Sequence, residues 1–83
     1  MHLIILTPEK KYFDGEVSMV QVPGSEEKGA FELLNNHAPI VSAIQAGDVR
    51  VKTASGEQSF TIKSGFLEAA NNTISLLVEG VEA

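Results

Sequence analysis

Apolar residues fall in short runs along this chain, each cut off by glycine, proline, asparagine or a pair of polar residues. Leu3-Ile4-Ile5-Leu6 ends at Thr7-Pro8, which suits a strand better than a helix. Tyr12-Phe13-Asp14-Gly15 reads as a second extended piece closing in a turn. Val17 to Val22 has strand composition, but its apolar positions change phase between Met19 and Val20, which predicts a bulge or burial on two sides. The polar stretch from Pro23 to Gly29 reads as a loop.

The segment from Glu32 to Val51 holds the most pattern. Phe31, Leu33 and Leu34 lead into the polar corner Asn35-Asn36-His37, and Pro39 biases Ala38 away from helical angles. Ile40, Val41, Ala43 and Ile44 follow, then a turn at Gln45-Ala46-Gly47-Asp48 and a new alternation. Strand, corner, strand, turn and strand in this order predict a β-meander. Val49, Val51 and Thr53 face one way, while Asp48, Arg50 and Lys52 face the other. Phe60 and Ile62 continue the inward set, Ser64-Gly65 turns, and Phe66 to Ala69 extends. Asn71-Asn72 suits a turn with positive φ, and Ile74, Leu76 and Val78 alternate in a last strand. Ile40-Ala43-Ile44 also fits helical spacing and Leu67 to Ala70 is ambiguous, but both are short and bounded by Pro or Gly. The expectation is an all-β, small antiparallel β-sandwich or flattened barrel of about eight to ten short strands. Its shared core should contain Val49, Val51, Phe60, Ile62, Ile74, Leu76 and Val78.

Composition narrows the function classes. The 83 residues predict one domain, 1–83, with a stability of about 4–12 kcal/mol. There is no cysteine, so the 43% hydrophobic content must hold the fold without disulfides or thiolate metal sites. A net charge of −5 spread along the chain argues against nucleic-acid binding and against electrostatic docking on anionic lipid. No apolar run is long enough to span a bilayer as a helix, and Met1 to Leu6 lacks the features of a signal peptide. Asn71-Asn72-Thr73 fits a glycosylation sequon, which without an export signal reads as a turn.

His37 is the candidate that draws attention to chemistry. One histidine in a corner does not build a zinc site, since no HxH, HxxxH or cysteine partner accompanies it. Ser42, His37 and Asp48 could meet in so small a chain, but no Gly-x-Ser-x-Gly elbow supports a nucleophile. Gly24 to Gly29 lacks the lysine ending of a phosphate loop and carries two adjacent carboxylates. A structural or interface role for His37, with no cofactor and no metal, is therefore expected. More informative is the apolar surplus: Leu3 to Leu6 and Ile40 to Ile44 are apolar on both strand faces, and Leu77 adds an outward one. A two-layer protein must turn one side of each toward solvent or a partner.

Several motifs together resemble the epsilon subunits of F-type ATP synthase: Thr7-Pro8-Glu9, Val22-Pro23-Gly24, His37-Ala38-Pro39, Gly47 and Gly65-Phe66-Leu67-Glu68. The likeness covers nearly the whole chain but only the N-terminal β-domain of the family pattern. It implies a non-catalytic rotor subunit of the central stalk, which binds the gamma subunit and the ring of c subunits and couples ion flow to ATP synthesis. It implies a peripheral position at the cytoplasmic face of the energy-coupling membrane. By the same resemblance, the corner His37, Ala38, Pro39, Ile40 and Val41 would lie close to gamma. The loop Ser25, Glu26, Glu27 and Lys28 would face the c-ring, whose polar loops carry basic residues. Two departures stand out: Gly29 and His37 are farther apart than in the family, with Asn35 in place of a proline, and Ser64 replaces a glycine. The helical pair that follows this domain in most members is absent from this sequence, and with it the expectation of an ATP-sensing brake. The alternatives are a generic β-sandwich interaction module with another partner and, more remotely, a small hydrolase using His37.

Overall fold

The computed structural model describes residues 1–24 and 31–82. Nine strands account for most of them: β1 (His2–Leu6), β2 (Lys11–Glu16), β3 (Met19–Val22), β4 (Phe31–Leu34), β5 (Ile40–Ile44), β6 (Gly47–Thr53), β7 (Gly56–Ile62), β8 (Ser64–Ala70) and β9 (Thr73–Glu79). They form a five-stranded sheet in the order β2-β1-β9-β8-β5 and a four-stranded sheet in the order β4-β3-β6-β7. The fold is all-β, a sandwich of two sheets rather than a closed barrel. The core lies between the sheets and includes all seven residues expected from the alternation: Val49, Val51, Phe60, Ile62, Ile74, Leu76 and Val78. Leu3, Ile5, Val20, Val22 and Leu67 complete its centre, and no polar or charged residue is buried among the described residues.

Local chemistry sets the turns. Asn71 and Asn72 both have positive φ, 53° and 58°, and join the paired residues Ala70 and Thr73 in a two-residue hairpin of the twist-compatible kind. Gly47 has φ 152°, and a side-chain carbon there would approach Pro23 Cβ to 2.9 Å. A glycine at that position therefore lets the start of β6 lie against the Val22-Pro23 end of β3.

The structure corrects four sequence expectations. The sheets are not wholly antiparallel, because β1 pairs with β9 in parallel, Leu3 opposite Ile74 and Ile5 opposite Leu76. The chain from β4 to β6 is not a meander: β4 lies in the four-stranded sheet, β5 crosses to the five-stranded sheet beside β8, and β6 returns. The change of phase between Met19 and Val20 falls inside β3 and is not a bulge: Val20 and Val22 alternate regularly into the core, while Val17 is buried ahead of the strand, at the corner where the chain changes sheet and Ser18 N donates to Lys52 O. The bulge lies elsewhere, where Ile5 pairs with Phe13 and Leu6 with Lys11, leaving Tyr12 as the extra residue. Ser64-Gly65 is not a turn but the start of β8, and Lys63 alone separates β8 from β7 in the other sheet.

Candidate docking face

The two outer faces differ in chemistry. The four-stranded sheet presents mainly polar side chains, with Arg50 donating to Gln21 Oε1 at 3.3 Å and to Glu57 Oε2 at 3.3 Å. The five-stranded sheet presents an apolar row. Since Leu3, Ile5, Leu67, Leu76 and Val78 point inward, period-2 alternation turns Ile4, Leu6, Phe66 and Leu77 outward. Strand register then sets Leu6 beside Leu77, Leu77 beside Phe66, and Phe66 beside Ala43 across four neighbouring strands. The next row reads Asp14, Ile4, Ser75, Glu68 and Val41. Leu77 is 54% exposed, Phe66 42% and Val41 65%, so three large apolar side chains of one face remain in water. At the end of the row, Leu6, Thr7, Pro8, Leu77, Val78 and Glu79 line an open cleft of about 320 Å³.

The corner before β5 adjoins this face. Asn36 adopts φ 62°, and its N–H donates to Asn72 Oδ1 at 2.9 Å, which ties the corner to the β8–β9 hairpin. Asn35 Oδ1 accepts from the Met1 nitrogen at 2.7 Å. His37 Nδ1 lies 3.1 Å from Ala38 O. A carbonyl only accepts, so Nδ1 donates in that contact. Nε2 is buried and has no hydrogen-bond partner among the described residues. Ala38 and Pro39 are exposed. Ile40 packs against the core, while Val41 projects outward into the apolar face. Of the corner residues singled out in the sequence, Val41 thus joins the face through its side chain and Ile40 supports it from beneath. Ser25, Glu26, Glu27 and Lys28 lie outside the described residues.

The hydrolase arrangement does not assemble. Ser42 Oγ donates to Ala43 O, and Asp48 Oδ1 accepts from Thr61 Oγ1, so neither contacts His37. Among the described residues no three His, Asp or Glu side chains converge as a metal site, and no helix is long and apolar enough to cross a membrane. A second polar cluster lies at the far edge: Asp14 accepts from Lys11 Nζ at 2.9 Å and contacts His2 Nε2 at 2.6 Å. The hydrogen bond from Lys11, followed by that from His2, holds the Asp14 carboxyl below the ordinary carboxylate value.

Sequence reading found Leu77 and the double-sided apolar strands but not Phe66 or Glu68 as members of the same face. The signal was present in the inward alternation of Leu67 and Ala69, which turns their neighbours outward. What it lacked was the order of strands.

Comparison with known proteins agrees with this architecture. The family model for the beta-sandwich domain of the ATP synthase delta/epsilon chain matches residues 1–83. The ATP synthase epsilon chain of Chlorobium limicola is 41% identical over 80 residues, covering 95% of this chain and 89% of that protein. The epsilon chain of Caulobacter vibrioides is 39% identical over 84 residues, covering 100% and 95% respectively. The epsilon chain of Leptospira borgpetersenii is longer: a 34% identical match covers 95% of this chain but 61% of that protein. A chain from the central stalk and c-ring of the Tetrahymena thermophila mitochondrial ATP synthase superposes with a TM-score of 0.80 at 20% identity, covering 99% of this chain and 65% of its own length. A chain of the Euglena gracilis mitochondrial ATP synthase gives 0.86 at 17% identity, covering 96% and 51%. At these identities the two structures speak for the fold. By its match over residues 1–83 and its curated relatives, this chain belongs to the ATP synthase delta/epsilon chain family.

Proposed function

We propose that this chain is a non-catalytic subunit of the ATP synthase central stalk, docked on the gamma subunit through the outer face of its five-stranded sheet. The observation that carries the reading is the outward row Leu6, Leu77, Phe66 and Ala43, widened by Ile4 and Val41, in which Leu77, Phe66, Ala43 and Val41 are exposed and Leu6 and Ile4 half-buried; on the other sheet Leu34 alone is a large exposed apolar residue among the described residues. An apolar patch that is continuous across strands marks an interaction surface, whereas scattered exposed apolar residues do not. The corner His37, Ala38, Pro39, Ile40 and Val41 borders that face and belongs to the same contact. Ser25, Glu26, Glu27 and Lys28 are assigned to the c-ring contact on the family resemblance, in which the ring's polar loops carry basic residues that suit two adjacent glutamates.

Such a subunit works mechanically. Each sheet is a continuous hydrogen-bonded plate over a shared apolar core, and close-packed cores of this kind have low compressibility and transmit strain from one surface to the other. The membrane association is peripheral and indirect, at the cytoplasmic face, through the assembled complex.

The test is binding to the cognate catalytic sector that carries gamma. Leu77→Asp and Val41→Asp place a charge on exposed positions, so folding should be retained while affinity falls at least about 10-fold, because each charge would be desolvated in the interface. Unchanged affinity in Leu77→Asp, at the centre of the row, would remove this face from the contact, and unchanged affinity in Val41→Asp would remove the β5 edge from it.

A further inference from the structure

One charged side chain stands inside the apolar face. Glu68 occupies the middle of β8 and points outward between Leu67 and Ala69, which are both buried. Its lateral neighbours are Ser75 on β9 and Val41 on β5. Phe66 and Ala70 flank it along its own strand, and Leu77, Thr73 and Ala43 lie diagonally. None of these carries a charge. Among the described residues, the other titratable groups at this face are His2, Asp14, Glu16 and Lys11 at the β1–β2 side, Glu79 at the end of β9 and His37 in the corner that precedes β5. His2 lies two strands from β8, roughly 10 Å laterally at the usual strand spacing of about 4.8 Å, and is engaged with Asp14. Lys11 is engaged with the same carboxylate. Glu68 therefore makes no ion pair among the described residues.

In the free protein water solvates this carboxylate. The described residues span only 27 × 25 × 21 Å, so an interface of ordinary size, about 800 Å² a side, covers the sheet nearly from edge to edge. Glu68, on the next-to-edge strand and midway along it, then loses its water. A desolvated carboxylate without a partner opposes binding strongly, whereas one that meets a guanidinium or ammonium favours it and fixes register. Docking on the apolar row is favoured most where the opposing surface brings a cation to this spot, which offsets the lost hydration of Glu68.

Resting on the docking reading above, we infer that Glu68 is the specificity determinant of the face: it receives a Lys or Arg side chain of gamma, set within an apolar patch that matches Leu77, Phe66 and Val41. A second copy of this chain fits poorly as the occupant, because its net charge of −5 offers no surplus cation and adds repulsion.

The experiment measures affinity of the full chain for the cognate catalytic sector carrying gamma, at several salt concentrations, for the parent, Glu68→Gln, Glu68→Lys and Leu77→Asp. Glu68→Gln keeps shape and removes charge at an exposed position, so melting temperature should not change. The expected result is a loss of at least about 10-fold for Glu68→Gln with a flatter salt dependence, and a larger loss for Glu68→Lys. If Glu68→Gln binds equally or more tightly while Leu77→Asp loses binding, the docking reading stands and the cation is refuted. If Leu77→Asp binds like the parent, the face is not covered and both fall. Self-association of the isolated chain, abolished by Leu77→Asp, would name a second copy as the occupant and overturn the proposal.

Discussion

Gly65 offers the sharpest test of how the core is built. It sits on β8 with Ile44 of β5 on one side and Val78 of β9 on the other. A Cβ added there would lie 2.9 Å from Val78 Cγ1 and 3.1 Å from both Cγ1 and Cδ1 of Ile44. Favourable carbon contacts begin at about 3.5 Å, so all three overlaps are repulsive. Neither neighbour can retreat into solvent, since Val78 is 2% exposed and Ile44 4%. Val78 is also stiff about χ1 because it is branched at Cβ. Overpacking of this kind costs about 1–3 kcal/mol, offset by about 0.4–1 kcal/mol from the lower entropy of the unfolded chain when glycine becomes alanine. Gly65→Ala should therefore destabilise, by about 1.3 kcal/mol from the middle of each range, which is about 5–10 °C in melting temperature for a domain of this size. Urea unfolding of the parent, Gly65→Ala, Val78→Ala and the double variant provides the cycle. The double variant should be more stable than the sum of the single effects by about 1 kcal/mol, because removing the Val78 methyls makes room for the new Cβ. A neutral or stabilising Gly65→Ala, or additive effects, would refute the close approach of β5, β8 and β9.

Two further outcomes test the corner and the polar edge. Asn72→Ala loses both the acceptor for Asn36 N–H and a residue tolerant of φ 58°, whereas Asn72→Gly loses only the first. Alanine should thus be about 1–2 kcal/mol less stable than glycine by denaturant titration, and equal values would argue against the left-handed hairpin. At Asp14 the folded carboxyl titrates below its unfolded value, so its contribution is fully present above the unfolded pKa and is lost as pH falls through the folded one. Melting temperatures recorded from pH 6 down to pH 2 should therefore fall less steeply in Asp14→Asn than in the parent, and identical slopes would contradict the Lys11–Asp14–His2 arrangement.

The sequence by itself determined the class of fold, the hairpin at Asn71-Asn72 and the inward residues of β6, β7 and β9. All of these depend on local quantities: period-2 alternation, the tolerance of asparagine for positive φ, and glycine or proline at chain breaks. It also revealed an excess of apolar residues over what two layers can bury. Which strands are neighbours was decided only in three dimensions. Ile40–Ile44 follows β4 directly yet pairs with β8, and His2–Leu6 pairs in parallel with a strand some 70 residues later. Strand order arises from burying all inward sets in one core, and no residue encodes it locally. The docking face inherits that dependence. Leu6, Ala43, Phe66 and Leu77 come from four separate segments, and register alone makes them a row with Glu68 set beside it.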